Sequence, residues 1–120
     1  MKIIGSIEGN ELVTSLSPYG WRAIIDTGFT GELFLTEAHA NQIGLVAIVT
    51  QLARLADGTE PELAFDLGVI DWFGEERLTQ FCWIPGSRGE DVLIGIGLLK
   101  DPATELVVNF ANSSVTVEKL

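Results

Sequence analysis

Ile24-Ile25-Asp26-Thr27-Gly28, followed by Phe29-Thr30-Gly31, is the stretch on which the reading of this chain turns. Two isoleucines suit a buried strand. They run straight into one acid, one hydroxyl and one glycine, after which the chain bends. Gly28 carries no side chain, so the backbone can turn sharply there and its N–H can point back at the Asp26 carboxylate. Thr27 is stiff about χ1, and its hydroxyl can bridge to a neighbouring backbone. No other acid in the chain both ends an apolar strand pattern and precedes Thr-Gly. Two such loops brought together by symmetry would put two carboxylates in contact. Like charges that close share a proton. One member then serves as base toward a water and the other as acid toward a carbonyl oxygen. With one such segment per chain, the expected working unit is a homodimer with a single shared active site.

Outward from this loop, strands dominate. Met1 to Leu16 reads as a hairpin turning at Glu8-Gly9-Asn10-Glu11, and Trp21 to Ile25 as a short strand ending at Asp26. Leu33-Phe34-Leu35 is another strand. Thr36 can cap a helix over Glu37 to Ile43, and Gly44 can stop it. Gln51 to Phe65 reads as a second hairpin with a two-residue turn at Asp57-Gly58. Leu63, Phe65, Leu67 and Val69 alternate onto one face of its return strand. Trp72-Phe73-Gly74-Glu75 turns the chain into a strand over Leu78 to Ile84, and Pro85 to Gly89 is a loop. Val92-Leu93-Ile94 is a buried strand, and Ile96 to Lys100 one helical turn before Pro102. Leu106 to Val108 and Val115 to Val117 close with a hairpin around Ala111-Asn112-Ser113. There is a faint internal echo: Ile24-Ile25-Asp26-Thr27-Gly28 and Leu93-Ile94-Gly95-Ile96-Gly97 are both apolar pairs ending in a glycine turn, which suggests pseudo-two-fold halves.

The chain has 120 residues, 47% of them hydrophobic, which fits one domain over residues 1–120 with a real core and argues against disorder. No apolar run is long enough to cross a bilayer, so no membrane partner is expected. Met1-Lys2-Ile3-Ile4 meets Glu8 and Gly9 too early for a signal peptide. The one cysteine, Cys82, sits in Phe81-Cys82-Trp83-Ile84 and reads as a buried thiol in a reducing compartment, hence a cytoplasmic location. The net charge of −10 argues against nucleic-acid binding, which needs clustered Lys and Arg. It serves solubility first, and could bias the protein toward cationic or apolar substrates. A dimer doubles it, so repulsion opposes assembly near neutral pH. Activity is therefore expected to peak below neutral, with assembly loosening as pH rises.

Asp26-Thr27-Gly28 with the later Leu93-Ile94-Gly95 is the paired signature of the retropepsin-like aspartic proteases. The chain resembles that family over essentially its whole length. It is most similar to the single-domain bacterial and archaeal members, which share a Gly-Glu-Leu-like stretch, here Gly31-Glu32-Leu33. The resemblance implies an all-β fold: a closed acid-protease barrel with one or two short helices. It implies that Asp26 is the catalytic acid/base and that Thr27 hydrogen-bonds across the dyad to the partner chain. Gly28 shapes the loop, Thr30 is counted with the loop support, and Leu93, Ile94 and Gly95 thread behind the loop. Ala56, Asp57, Gly58 and Thr59 form the tip of a flap that closes over an extended polypeptide substrate. No metal or cofactor is implied. Two departures stand out. Phe29 follows Asp-Thr-Gly where many members have a small or hydroxyl residue. Ile96 follows Leu93-Ile94-Gly95 where viral members have an arginine that pairs with an acid just beyond the catalytic loop, so that ion pair is missing.

Other constellations carry less. His39 is the only histidine, it falls in the expected helix on a solvated face, and no Gly-x-Ser-x-Gly is present. One His and one Cys cannot build a zinc site. Gly95-x-Gly97 is a fragment of a dinucleotide fingerprint with no long helix after it. Ser87 to Asp91 is a polar loop, Asp57 reads as a turn residue, and Trp21, Trp72 and Trp83 as core or groove walls. The expected function is an aspartic endopeptidase that activates water between two Asp26 side chains. The alternative is a catalytically weak or inactive dimerisation or peptide-binding module of the same fold.

Overall fold

The computed structural model describes every residue from Met1 to Leu120 except Leu55. Among the described residues, ten strands and two short helices follow one another: β1 Lys2–Glu8, β2 Glu11–Leu16, β3 Trp21–Ile25, β4 Leu33–Thr36, α1 Glu37–Gln42, β5 Val49–Leu52, β6 Glu62–Trp72, β7 Glu75–Ile84, β8 Asp91–Ile94, α2 Ile96–Leu99, β9 Thr104–Asn109 and β10 Ser114–Lys119. All ten strands share one sheet in the order β5-β6-β7-β4-β8-β3-β2-β1-β10-β9. The fold is all-β, as expected. The expected closed barrel is not what the hydrogen bonds make: the ladder runs in a line between two unpaired edges, β5 and β9. The physical reason is that each end of the ladder is a hairpin arm, β5–β6 or β9–β10, whose outer strand has no further partner among the described residues.

Local chemistry accounts for the boundaries. Thr36 caps α1, its Oγ1 accepting the His39 amide, and Gly44 follows the helix in the left-handed region at φ 76°. Between β6 and β7 the two central residues, Phe73 and Gly74, both have positive φ (54° and 78°). That is the twist a two-residue hairpin turn requires. The loop between β5 and β6 differs from expectation. The strands part after the Leu52–Glu62 pair, and the Ala53 amide donates to the Pro61 carbonyl at its base. Asp57-Gly58 therefore sits at the tip of a longer excursion and not in a tight two-residue turn. The expected hairpin also includes Leu55, which lies outside the described residues.

The sheet has two apolar faces of different exposure. Directly paired residues share a face. The row Ile25, Ile94, Leu33 and Phe81 is buried, and with Leu35, Val92 and Leu98 it forms the core. Trp21, Trp72 and Trp83 belong to that core too. One residue over, Ile24, Leu93, Phe34, Cys82, Phe65 and Val49 pair in succession across six strands. Of these only Cys82 is buried. Its Sγ–H lies 3.5 Å from the Leu33 carbonyl, and burial pushes its thiol up to about 12. Leu67 and Val69 continue the same face outward and are exposed, while Leu63 at its other end is buried, so the alternation read on β6 faces solvent along only part of its length.

His39 corrects an expectation. It is 7% exposed, edge-on to Trp21, with Thr36 Oγ1 2.8 Å from its Nδ1. A six-residue helix laid on a sheet buries one whole side, and His39 is on that side with Ala40. Burial holds its imidazole below the ordinary value, against the Glu90 carbonyl and the Asp91 charge, which favour protonation. The folded chain then binds fewer protons than the unfolded one. His39 therefore costs stability as pH falls from about 6.5 through the depressed folded value. The expected result is a thermal midpoint that drops more between pH 7 and 5.5 in wild type than in His39→Gln. Parallel profiles would contradict it.

Candidate active site

Asp26 stands where β3 ends. Its amide donates to the Ile94 carbonyl (2.9 Å), extending the parallel β3–β8 pairing by one step. Its carbonyl accepts the Phe29 amide (3.1 Å), which closes a four-residue turn. The Gly28 amide donates to Asp26 Oδ1 at 2.9 Å, the contact that the glycine in this position suggests. The carboxylate is thus held by its own turn while its residue stays partly exposed. Asp26 lies one side-chain period beyond Ile24, so it continues the half-exposed face and not the core. Thr27, Gly28 and Thr30 are exposed.

The two halves of the echo lie side by side. Ile24 pairs with Leu93 and Ile25 with Ile94, both strands running the same way into their glycine turns. β8 also pairs with β4 on its other side, through Leu33–Ile94 and Phe34–Leu93. Leu93, Ile94 and Gly95 therefore pass between the two strands that flank the Asp26 loop. Beyond them the Gly95 amide donates to the Glu32 carbonyl (2.9 Å), Ile96 to Phe29 (2.8 Å) and Gly97 to Gly31 (3.0 Å). Three consecutive links fasten the loop to the start of α2. Gly95 is needed for space: its φ of −99° suits any residue, but an added Cβ would collide with the Gly31 carbonyl and lie 2.5 Å from Phe29 Cδ2.

Ala56, Asp57, Gly58 and Thr59 are exposed at the β5–β6 tip. Asp57 Oδ1 accepts both the amide (2.9 Å) and hydroxyl (2.6 Å) of Thr59. These bonds hold the Asp57 carboxyl below its ordinary value and mark a turn residue. Near the base of the same arm, Val49, Phe65 and Leu67 help wall a shallow apolar recess of about 280 Å3.

Sequence reasoning missed the ion pairs that Arg77 makes beside the Asp26 loop. Arg77 Nη2, on β7, lies 2.7 Å from Glu32 Oε2, just beyond the Asp26 loop, and 3.0 Å from Asp101 Oδ2. Glu32 Oε1 also accepts the Gln80 amide at 2.7 Å. Burial pulls the Arg77 guanidinium down, but the bonds and charges of Glu32 and Asp101 outweigh it and the net direction is up. Arg77 is 45 positions from Glu32, and no local spacing announces the pair. Arg77→Leu is expected to lower stability by about 2 kcal/mol, less than a fully buried pair because both side chains keep some solvent contact. Urea unfolding checks this; an unchanged midpoint would count against it.

The fold resembles a retropepsin-like one. A crystal structure of a retropepsin-like aspartic protease from Rickettsia conorii is similar to this chain with a TM-score of 0.68 and 15% sequence identity. The match covers 98% of this chain and 90% of that one. No protein-family model matches the chain, and no curated protein matches it by sequence. The likeness is one of fold. Among the described residues no helix is long and apolar enough to cross a membrane.

Proposed function

We propose that this protein is an aspartic endopeptidase that works as a homodimer, each chain supplying one Asp26. The observation that carries the reading is the restraint on that carboxylate. It combines the hydrogen bond from the Asp26 amide to the Ile94 carbonyl, the Gly28 N–H on Oδ1 and the passage of Leu93-Ile94-Gly95 between the flanking strands. A base that must meet its own copy in one geometry needs such fixing. Asp26 of one chain removes a proton from water as it attacks the peptide carbonyl. Its protonated counterpart donates to the carbonyl oxygen. Thr27 of each chain hydrogen-bonds to the partner's loop.

The substrate lies extended. Ile24, Leu93, Phe34 and Phe65, half-exposed on the Asp26 side of the sheet, offer apolar walls to alternate substrate side chains, and the Ala56–Thr59 tip closes over the backbone. Cleavage of a peptide library at several pH values, with Asp26→Asn as control, tests the reading. Asp26-dependent cleavage next to apolar residues, strongest below neutral pH, is the expected result. Peptide capture without Asp26-dependent cleavage would instead favour a binding module.

A further inference from the structure

We propose that Phe29 is a positioning residue for Asp26: its ring is the internal brace of the catalytic loop. The inference rests on the peptidase reading above and concerns the one residue of the loop whose type departs most from what surrounds a shared carboxylate pair.

The backbone of Phe29 is tied at both ends of the critical segment. Its amide donates to the Asp26 carbonyl at 3.1 Å, and its carbonyl accepts the Ile96 amide at 2.8 Å. It therefore joins the turn that carries Asp26 to the chain that supports it. The ring does not stand free. A Cβ added to Gly31 would lie 2.5 Å from Phe29 Cζ and 2.9 Å from Cε1, and one added to Gly95 would lie 2.5 Å from Cδ2. Two glycines, one on the loop and one on the supporting segment, thus leave the slot that the ring occupies. Phe34, on β4, meets the ring edge-on at a centroid distance of 5.8 Å and an interplanar angle of 83°.

An aromatic ring in such a slot has two χ angles and little room to turn, so it braces the loop at low entropic cost. Gly31 is left in place by no turn requirement, since its φ lies outside the positive region that favours glycine; the ring supplies the reason for it. A small residue at position 29 would leave the slot empty. The Asp26 turn would then be held by hydrogen bonds alone.

The test is a set of three single variants and one double variant. Phe29→Ala is expected to lower kcat roughly 100-fold while KM stays within about two-fold, because a carboxylate misplaced by a fraction of its reach loses transition-state contacts more than binding. Phe29→Leu is expected to recover much of that loss. Gly31→Ala alone should act like Phe29→Ala, since the new methyl expels the ring. Added to Phe29→Ala it should cost nothing further, because the methyl enters a vacated slot. The amide resonance of Gly28, the donor to Asp26 Oδ1, reads the same geometry without any substrate, and thermal unfolding reports the folded fraction. Losses that multiply in the double variant overturn the brace, as does a Phe29→Ala protein with wild-type kcat and an unmoved Gly28 resonance. A wild-type protein without Asp26-dependent cleavage overturns the peptidase reading instead, and the Gly28 resonance across these variants still decides the role of Phe29.

Discussion

Asp26→Asn is expected to abolish peptide cleavage, with turnover falling by roughly 10³-fold or more, while the fold and peptide binding persist. Asparagine keeps the size of aspartate and one carbonyl oxygen that can still accept the Gly28 amide, now 2.9 Å from Oδ1. The turn therefore survives. What goes is the capacity to take a proton from water, and no other group on this loop supplies it: Thr27 and Thr30 carry hydroxyls, which are poor bases at neutral pH. A second measurement separates a shared site from two independent ones. When wild-type and Asp26→Asn chains are mixed in equal amounts and allowed to exchange, random pairing leaves about a quarter of the dimers with two carboxylates. Activity per total protein should fall to that fraction. A fall to one half would mean that each chain works alone, and the symmetric site would have to be abandoned.

Gly95→Ala is expected to be among the most damaging single methyl additions in the chain, costing about 4 kcal/mol. Forced overpacking in a tight interior typically costs about 1–3 kcal/mol, and a net hydrogen bond about 1 kcal/mol. At Gly95 the collision is with backbone, the Gly31 carbonyl, which cannot rotate away as a side chain can. Relief requires the loop to lift off the support, and that breaks the Gly95–Glu32, Ile96–Phe29 or Gly97–Gly31 link. A midpoint lowered by roughly 15 °C, or failure to fold, is the expected outcome for a chain of this size. Gly58→Ala at the β5–β6 tip is the contrast. There an added Cβ meets nothing, and only the backbone angle of 85° resists it, a cost of about 1 kcal/mol. Comparable losses at the two positions would mean that the loop yields more easily than its packing indicates.

The two glycines separate what neighbouring residues announce from what distant ones impose. Gly28 beside Asp26 can be understood from the tripeptide, because the bond from its amide to Oδ1 spans two positions. Gly95 can be placed in a turn from its neighbours, but its intolerance of a methyl comes from Gly31 and Phe29, more than sixty positions away. The same division holds elsewhere. Thr36 and Gly44 bound α1 through contacts within one helical turn, so the helix was legible. That helix's inner side was not: nothing nearby says that His39 faces Trp21, and a solvated histidine was the expectation. Alternation on β6 announced which residues share a face, but not that Leu67 and Val69 face outward. Both sides of this sheet are apolar near the site, and periodicity alone cannot tell a core from a groove wall.

By itself, then, the sequence determined the all-β character, most strand positions, and a carboxylate held at a strand end by a glycine turn. Each of these depends on interactions between residues a few positions apart. Only the tertiary structure decided that the ladder stays open between β5 and β9, that Arg77 reaches Glu32 from a distant strand, and that Phe29 turns into a slot between Gly31 and Gly95. Those outcomes follow from which strands lie side by side, and strand pairing is set by burial summed over the whole chain, which no short segment contains.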